Sequence, residues 1–180
     1  MPNDLSTKPC DHYTEYAKFD ADYGFAKRAG FQLSELQIKD VEQFVRWSAS
    51  LNTYEVGGGK TTVSTVVSLM RGVQTTLVIM PPILLKSWET WLLRVSERVV
   101  LYRGSPQERA AMDLTSARWI VASLDIFRRD YSRIVTALHA KSHEMIVDES
   151  HNLKNPASVL FKKVQQASAG GYLQMLTGTP

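Results

Sequence analysis

A glycine-rich stretch in the first third of the chain constrains the fold more than any other feature. Residues 55–62 are Glu-Val-Gly-Gly-Gly-Lys-Thr-Thr, and the residues that follow through Met70 have helical spacing. Glycines let a backbone turn tightly and present N–H groups to phosphate oxygens at the positive end of a helix dipole. Such a cluster alone also fits a flexible turn, so the interpretation depends on its neighbours. We predict a phosphate-binding loop at Gly57, Gly58, Gly59, Lys60, Thr61 and Thr62.

Strand-like and helix-like segments alternate around this loop. Apolar runs predict strands at 76–80, 98–102, 119–122, 145–147 and 172–176, and a further strand is expected at 51–54, where it would lead into the loop. Helical patterns begin at Ser34, at the loop, near Leu84, at Ser105, around Ile134 and at Pro156. This alternation predicts an α/β fold, an open parallel sheet with helices on both faces. The strand at 51–54 is polar for a buried parallel strand.

The polar residues after these strands are expected to share one edge of the sheet, where open parallel sheets bind ligands. The acidic pair Asp148-Glu149 follows the strand at 145–147. One carboxylate at such a strand end can hold magnesium, while its neighbour orients an attacking water. A solvated acidic strand end is the alternative, and the phosphate-binding loop in the same domain argues against it.

The N-terminal part contains a polar, aromatic-rich segment and then a capped helix. We divide the chain into a lead-in segment at 1–30 and a domain at 31–180. The aromatic rings of the lead-in segment either pack on the domain or stack on bases. Ser34 and Gln37 have the spacing of a capping box, so Gln37 is either a helix cap or a ligand.

Composition adds few constraints. A net charge of +3 fits either a polyanionic partner or an ordinary solvated surface. The single cysteine, Cys10, excludes an internal disulfide and fits a reducing compartment. The N-terminus lacks a signal-peptide pattern, and Pro81-Pro82 interrupts the longest apolar run. We therefore expect an intracellular protein, cytoplasmic or nucleoid-associated, that is neither secreted nor membrane-spanning.

Taken together, the motifs resemble the N-terminal RecA-like lobe of superfamily 2 helicases, and more narrowly the Swi/Snf family of double-stranded DNA translocases. Residues 54–61 match that family's Asp-Glu-Met-Gly-x-Gly-Lys-Thr loop except at Tyr54 and Val56. Pro81, Leu84, Leu85 and Trp88 match its Pro-x-x-Leu-Leu-x-x-Trp motif. Residues 148–155 resemble its Asp-Glu-Ala-His box with the Lys-Asn extension, and residues 176–180 are Leu-Thr-Gly-Thr-Pro.

The resemblance implies an ATP hydrolase that uses Mg²⁺. It implies that Lys60 contacts the outer phosphates, that Thr61 and Asp148 hold magnesium, and that Glu149 activates water. His151 then couples the nucleotide site to the turn of Thr177, Gly178 and Thr179. Gln37 corresponds to a glutamine that recognises adenine, although Leu36 replaces the tyrosine expected before it.

The resemblance also implies two partners. Double-stranded DNA is expected along Pro81, Lys86, Ser123, Arg128 and Arg129, with Leu124 in place of a usual tyrosine. A second RecA-like lobe is expected to complete the active site with arginines, so this chain alone is expected to be incomplete as an enzyme. The alternatives are a nucleotide-binding module without turnover, or a superfamily 2 motor of another branch, such as a restriction motor subunit or an RNA helicase.

Overall fold

Six parallel strands form one sheet in the computed structural model, which describes residues 13–55 and 57–178. The strands are β1 (Ala49–Asn52), β2 (Thr75–Met80), β3 (Val99–Tyr102), β4 (Trp119–Ser123), β5 (His143–Val147) and β6 (Tyr172–Leu176). Their order in the sheet is β1-β6-β5-β2-β4-β3, and each neighbouring pair is parallel. Every residue of β2, β4 and β5 is buried, as expected for central strands covered on both faces. The predicted open parallel sheet is confirmed.

Helices connect the strands and cover both faces of the sheet. They are α1 (Tyr13–Tyr23), α2 (Phe25–Ala29), α3 (Glu35–Val45), α4 (Lys60–Arg71), α5 (Leu85–Val95), α6 (Pro106–Ala111), α7 (Leu124–Arg129), α8 (Tyr131–His139) and α9 (Val159–Ala167). Short 3₁₀ turns lie at Pro82–Leu84 and Ser150–Leu153. Within the part of the chain that the structure describes, no helix is long and apolar enough to cross a membrane.

Alternate residues of β2 show how the two faces are filled. Leu77 and Ile79 belong to an apolar cluster with residues of α7, α8 and α9, including Phe127. Val78 and Met80 belong to a second cluster on the other face, with residues of α5. Each face of the sheet therefore has its own core.

The helices α1, α2 and α3 form an outer layer against α4. Phe25 of α2 and Val41 of α3 are fully buried in one cluster with Val63 and Val67 of α4. Tyr16 and Phe19 of α1 belong to the same region. The side chains of Tyr16, Phe19, Tyr23 and Phe25 therefore pack on the domain, as one of the two sequence interpretations expected.

The main differences from the prediction are two element boundaries and the helices that were missed. The strand before the loop occupies Ala49–Asn52 rather than 51–54, and its polar composition is explained by its position at the edge of the sheet. The helix predicted from Pro156 begins at Val159, because the Ser158 hydroxyl accepts a hydrogen bond from Phe161 N and caps it there. The helices α1, α2 and α7 were not predicted.

Candidate nucleotide-binding site

The glycine-rich stretch forms a turn between β1 and α4. Gly57 and Gly59 have φ values of 84° and 94°, in the left-handed region that side chains rarely adopt. Gly58 N donates to Glu55 O at 2.9 Å and closes the turn, and Gly59 precedes the first residue of α4. The loop therefore leads directly into a helix N-terminus, which is the geometry that favours anion binding. Val56 lies outside the described residues.

Lys60 holds this loop through its ammonium group. Its Nζ donates to Tyr54 O at 2.7 Å and to Glu55 O at 3.1 Å. An ammonium group has three N–H donors, so one remains beyond these two hydrogen bonds. Contact with phosphate oxygens can use that third donor or replace one of the carbonyls.

The two threonines after Lys60 differ in exposure. Thr61 is partly exposed on the first turn of α4, whereas Thr62 is buried. The sequence grouped both with the phosphate-binding loop, and only Thr61 has a partly accessible side chain there. A direct nucleotide contact by the Thr62 hydroxyl stays a prediction.

Asp148 lies at the end of β5 with both carboxylate oxygens engaged. Oδ1 accepts the Glu149 backbone N–H at 2.9 Å, and Oδ2 accepts the indole N–H of Trp88 at 2.8 Å. Asp148 N donates to Ile79 O at 2.9 Å, which ties the residue to the end of β2. The carboxylate is buried and held in one orientation at the carboxyl edge of the sheet.

Glu149 has a left-handed backbone conformation, with φ 54° and ψ 48°. Apart from glycines, no other residue of the described ranges has a positive φ. Such a conformation costs about 1–3 kcal/mol and is typical of functional sites. The Glu149 Oε2 atom lies 3.1 Å from His151 Nδ1. The strained turn thus brings the predicted water-activating carboxylate beside the predicted coupling histidine.

The end of β6 is connected to the end of β1. Thr177 is buried, and its backbone N–H donates to Asn52 O at 3.0 Å. Asn52 is the last residue of β1 before the glycine-rich loop. Gly178 is the last residue described, and Thr179 lies outside the described residues. The predicted coupling turn therefore begins next to the strand that leads into the loop.

Gln37 is both a helix cap and a neighbour of the loop. Ser34 and Gln37 form the predicted capping box, with Ser34 N donating to Gln37 Oε1 at 3.0 Å. The Gln37 Nε2 atom donates to Gly58 O at 3.1 Å. A Cβ atom at Gly59 would lie 2.4 Å from Gln37 Nε2. The cap is confirmed, and recognition of adenine by the same side chain stays a prediction.

The residues predicted to contact DNA lie after β2 and β4, which are neighbours in the sheet with Met80 opposite Ser123. Pro81 is partly buried, and the exposed Lys86 pairs with Glu89 at 2.7 Å. Ser123 is buried, and its hydroxyl caps α7 by accepting from Ile126 N at 3.2 Å. Arg128 and Arg129 are exposed at the end of α7. Pro81 and Ser123 therefore lie at the ends of neighbouring strands, with the Ser123 side chain occupied by a cap. Lys86 lies on α5 and Arg128 and Arg129 lie on α7, and these two helices pack on opposite faces of the sheet.

Two contacts at the site were not predicted from the sequence. The Trp88 indole was interpreted as core packing, and it is buried, yet its N–H reaches Asp148. Tyr54, which departs from the family's loop pattern, donates its hydroxyl to Asp40 Oδ2. Burial and this hydrogen bond raise the pKa of the Tyr54 phenol, so it stays a neutral donor. The spacing of Trp88 in its motif was the only available signal for the first contact.

The oxygen donors at this edge fit a magnesium ion. Magnesium in nucleotide sites is held by one or two carboxylates together with phosphate oxygens, rather than by a protein cage. Asp148 provides one fixed carboxylate and Thr61 a hydroxyl. No group of three or more His, Cys, Asp or Glu residues that could hold a metal occurs in ranges 13–55 and 57–178. The residues present therefore match a magnesium ion that is held jointly with a nucleotide.

Comparison with known proteins identifies the family. The family described as SNF2-related domain matches residues 15–180 of the chain. The chain belongs to this family. It is an N-terminal RecA-like lobe of a Swi/Snf-type superfamily 2 helicase, and this family is one of ATPase domains.

Two curated relatives and one solved structure illustrate the similarity. The TATA-binding protein-associated factor MOT1 of Saccharomyces cerevisiae is 31% identical over 164 residues, covering 76% of this chain and 9% of the relative. The ATP-dependent helicase brm of Drosophila melanogaster is 33% identical over 165 residues, covering 82% and 10%. The SWI2/SNF2 ATPase core of Sulfolobus solfataricus in complex with dsDNA matches with a TM-score of 0.68 and 26% identity, covering 83% of this chain and 32% of that one. The chain thus spans about a tenth of these curated relatives.

Proposed function

We propose that this chain is the ATP-binding lobe of an ATP-dependent motor that moves on double-stranded DNA and hydrolyses ATP with magnesium. The observation that carries the proposal is the convergence of three motifs on one sheet edge. Lys60 begins α4 after the loop that follows β1, Asp148 and Glu149 follow β5, and Thr177 follows β6. The hydrogen bond from Thr177 N to Asn52 O joins the last of these to the first.

Each residue of this edge has a role that its geometry supports. The loop amides and Lys60 bind the phosphates at the N-terminus of α4, where the helix dipole also favours negative charge. Thr61 and Asp148 hold the magnesium ion. When bound, magnesium neutralises charge that develops on the phosphate oxygens. Because Asp148 is fixed by two donors, it can hold its ligand without reorganising.

Glu149 orients the attacking water and accepts its proton. The left-handed backbone at Glu149 directs the chain into the 3₁₀ turn that contains His151. His151 Nδ1 lies 3.1 Å from Glu149 Oε2. A movement of the Glu149 carboxylate during hydrolysis therefore alters its contact with His151. We assign to His151 and to Thr177, Gly178 and Thr179 the coupling of the nucleotide site to DNA.

Double-stranded DNA is the proposed nucleic-acid partner. Support comes from the SWI2/SNF2 core that was solved with dsDNA and from the basic side chains on the helices that follow β2 and β4. Lys86, Arg128 and Arg129 are exposed there and can contact the phosphate backbone without sequence preference. A protein that acts on DNA works inside the cell, so we propose that this protein is located in the cytoplasm or at the nucleoid.

A second RecA-like lobe, in the same protein or supplied in trans, is the other proposed partner. The solved SWI2/SNF2 core is about three times as long as the region that this chain matches. Transition-state charge on the γ-phosphate is stabilised in phosphate-loop enzymes by an added arginine, which contributes roughly 10³–10⁵ in rate. We propose that the second lobe supplies such arginines.

Phosphate release from the purified chain, measured with and without duplex DNA, tests the enzymatic part of this proposal. We expect slow hydrolysis that Glu149→Gln removes, and a large increase when the second lobe is added. Fast DNA-stimulated turnover by the chain alone would contradict the need for a second lobe. Nucleotide binding without any turnover, even with that lobe, would instead indicate a binding module. Stimulation by RNA but not by duplex DNA would indicate another superfamily 2 branch.

A further inference from the structure

The indole N–H of Trp88 is directed at the residue proposed to hold magnesium. Trp88 lies on α5, and its Nε1 atom donates to Asp148 Oδ2 at 2.8 Å. Both residues are buried, with exposed fractions of 2% for Trp88 and 6% for Asp148. A buried hydrogen bond to a carboxylate is among the stronger ones in proteins, because one partner is ionised.

The surroundings of Trp88 keep this donor in place. The ring packs in an apolar cluster that includes Val78 of β2, Ile146 of β5 and Leu176 of β6. An indole has one N–H and no rotatable hydroxyl, so a fixed ring means a fixed donor direction. The apolar packing therefore determines where the N–H points.

The second donor to Asp148 completes the arrangement. The Glu149 backbone N–H occupies Oδ1 at 2.9 Å, while Trp88 occupies Oδ2. With one donor on each oxygen, rotation of the carboxylate is restricted and the remaining lone pairs have defined directions. Partners of this kind orient metal ligands, and their loss typically weakens metal binding 10- to 100-fold.

We propose that Trp88 is a positioning residue that orients the Asp148 carboxylate for magnesium, rather than a residue of the core alone. The inference rests on the proposed nucleotide site and adds a residue of α5 to it. It links the helix after β2 to the metal position. Loss of the indole N–H then affects the magnesium-dependent part of nucleotide binding and leaves the magnesium-independent part unchanged.

Trp91 provides a matched control on the same helix. Its indole Nε1 donates to Thr65 Oγ1 at 2.9 Å, a bond of nearly equal length that does not involve Asp148. Trp88→Phe and Trp91→Phe therefore each remove one indole-to-side-chain hydrogen bond and retain an aromatic ring. Only the first change removes a donor from the carboxylate.

Calorimetric titration with the β,γ-imido analogue of ATP, in magnesium and in EDTA, tests the proposal. For Trp88→Phe we expect the dissociation constant in EDTA to be unchanged and the constant in magnesium to rise. The ratio of the EDTA value to the magnesium value therefore falls about 10-fold or more. Trp91→Phe is expected to keep the wild-type ratio. A wild-type ratio in Trp88→Phe would overturn the proposal. Absence of binding by the wild-type chain would overturn the nucleotide site itself, and the inference with it.

Indole N–H resonances of the wild-type chain keep the proposal testable if Trp88→Phe does not fold. In ¹H–¹⁵N spectra of the chain with the same analogue, added magnesium is expected to shift the Trp88 indole signal and leave that of Trp91 nearly unchanged. Equal shifts for the two indoles, or a shift for neither, would contradict a role for Trp88 at the metal.

Discussion

Gln37 shows how one side chain serves both a helix and a loop. Its Oε1 accepts from Ser34 N as part of the capping box, and its Nε2 donates to Gly58 O. The sequence predicted the first contact because capping boxes have a fixed spacing. The second contact joins residues 21 positions apart and depends on how α3 packs on α4, so no local pattern could reveal it. Gln37 is therefore both a helix cap and a contact to the loop, and recognition of adenine by it stays a prediction.

Substitutions at Gln37 can separate these roles. Gln37→Glu keeps an acceptor for Ser34 N but loses the donor to Gly58 O, whereas Gln37→Ala loses both. We expect thermal stability near wild type for Gln37→Glu and a modest loss, below about 1 kcal/mol, for Gln37→Ala, because Ser34 Oγ still accepts from the backbone N–H at position 37 and only the reciprocal half of the capping box is lost. Calorimetry with ATP and GTP checks adenine recognition. Both variants should lose affinity for ATP more than for GTP, and an equal loss for the two nucleotides would leave Gln37 as a cap only.

At the scale of elements, a buried polar layer beneath α4 links the loop helix to the sheet. Arg71, in the last turn of α4, forms an ion pair with Glu144 of β5, and both side chains are at most 1% exposed. Gln174 of β6 donates to Glu144 Oε1 at 2.8 Å and to Ser64 O of α4 at 3.0 Å. Burial raises the pKa of the Glu144 carboxyl, and the Arg71 guanidinium opposes that shift. The helix that begins with the phosphate-binding loop is thus attached to the two strands that carry the other motifs.

Breaking this ion pair should strongly destabilise the domain. Arg71→Met leaves the buried Glu144 carboxylate without its cation, which typically costs about 3–5 kcal/mol. Arg46→Met is the matched control, since Arg46 pairs with Glu15 at 3.2 Å with about half of each side chain exposed. Exposed pairs contribute about 0–1 kcal/mol. Urea unfolding of both variants measures the difference, and similar losses for the two would argue against the stabilising role of the layer.

The elements themselves were predictable to different degrees. Long apolar runs such as 76–80 and 119–122 identified buried strands, because a strand that is covered on both faces is apolar at nearly every position. The edge strand β1 was misplaced because only its alternate residues, Ser50 and Asn52, are buried. The helix α7 has six residues and starts directly after β4, which is too short for a helical period to emerge. The order of the strands depends on packing between distant segments, and the alternating pattern did not determine it.

At the scale of the whole molecule, the carboxyl edge of the sheet separates into two regions. The motifs proposed to bind nucleotide follow β1, β5 and β6, which are consecutive neighbours at one side of the sheet. The basic residues proposed for DNA follow β2 and β4 on the other side. The sequence predicted the shared edge from the rule for parallel sheets. Its division into two sides follows from the strand order, which only the structure provides.

Binding of duplex DNA should be weak and depend on salt. Each phosphate contact contributes about −0.9 to the slope of log affinity against log salt concentration. Replacing both Arg128 and Arg129 by alanine should therefore make the slope less negative by up to about 1.8. Arg46→Ala, which removes an exposed arginine from the end of α3, should leave the slope unchanged. Fluorescence anisotropy with duplexes of different sequence, at several salt concentrations, measures this slope. Sequence-selective or salt-independent binding would contradict contacts to the phosphate backbone.

The most direct test of the nucleotide site is calorimetric titration of the chain and of Lys60→Ala with Mg·ATP. Loss of a charged hydrogen-bond donor costs about 1.5–3 kcal/mol, which corresponds to roughly 10- to 150-fold weaker binding. Lys86→Ala removes an exposed lysine that pairs with Glu89 and should bind as tightly as the wild type. We predict that only Lys60→Ala loses affinity while all three proteins stay folded. Equal affinity of the wild type and Lys60→Ala would contradict the assignment of this loop as the phosphate-binding site.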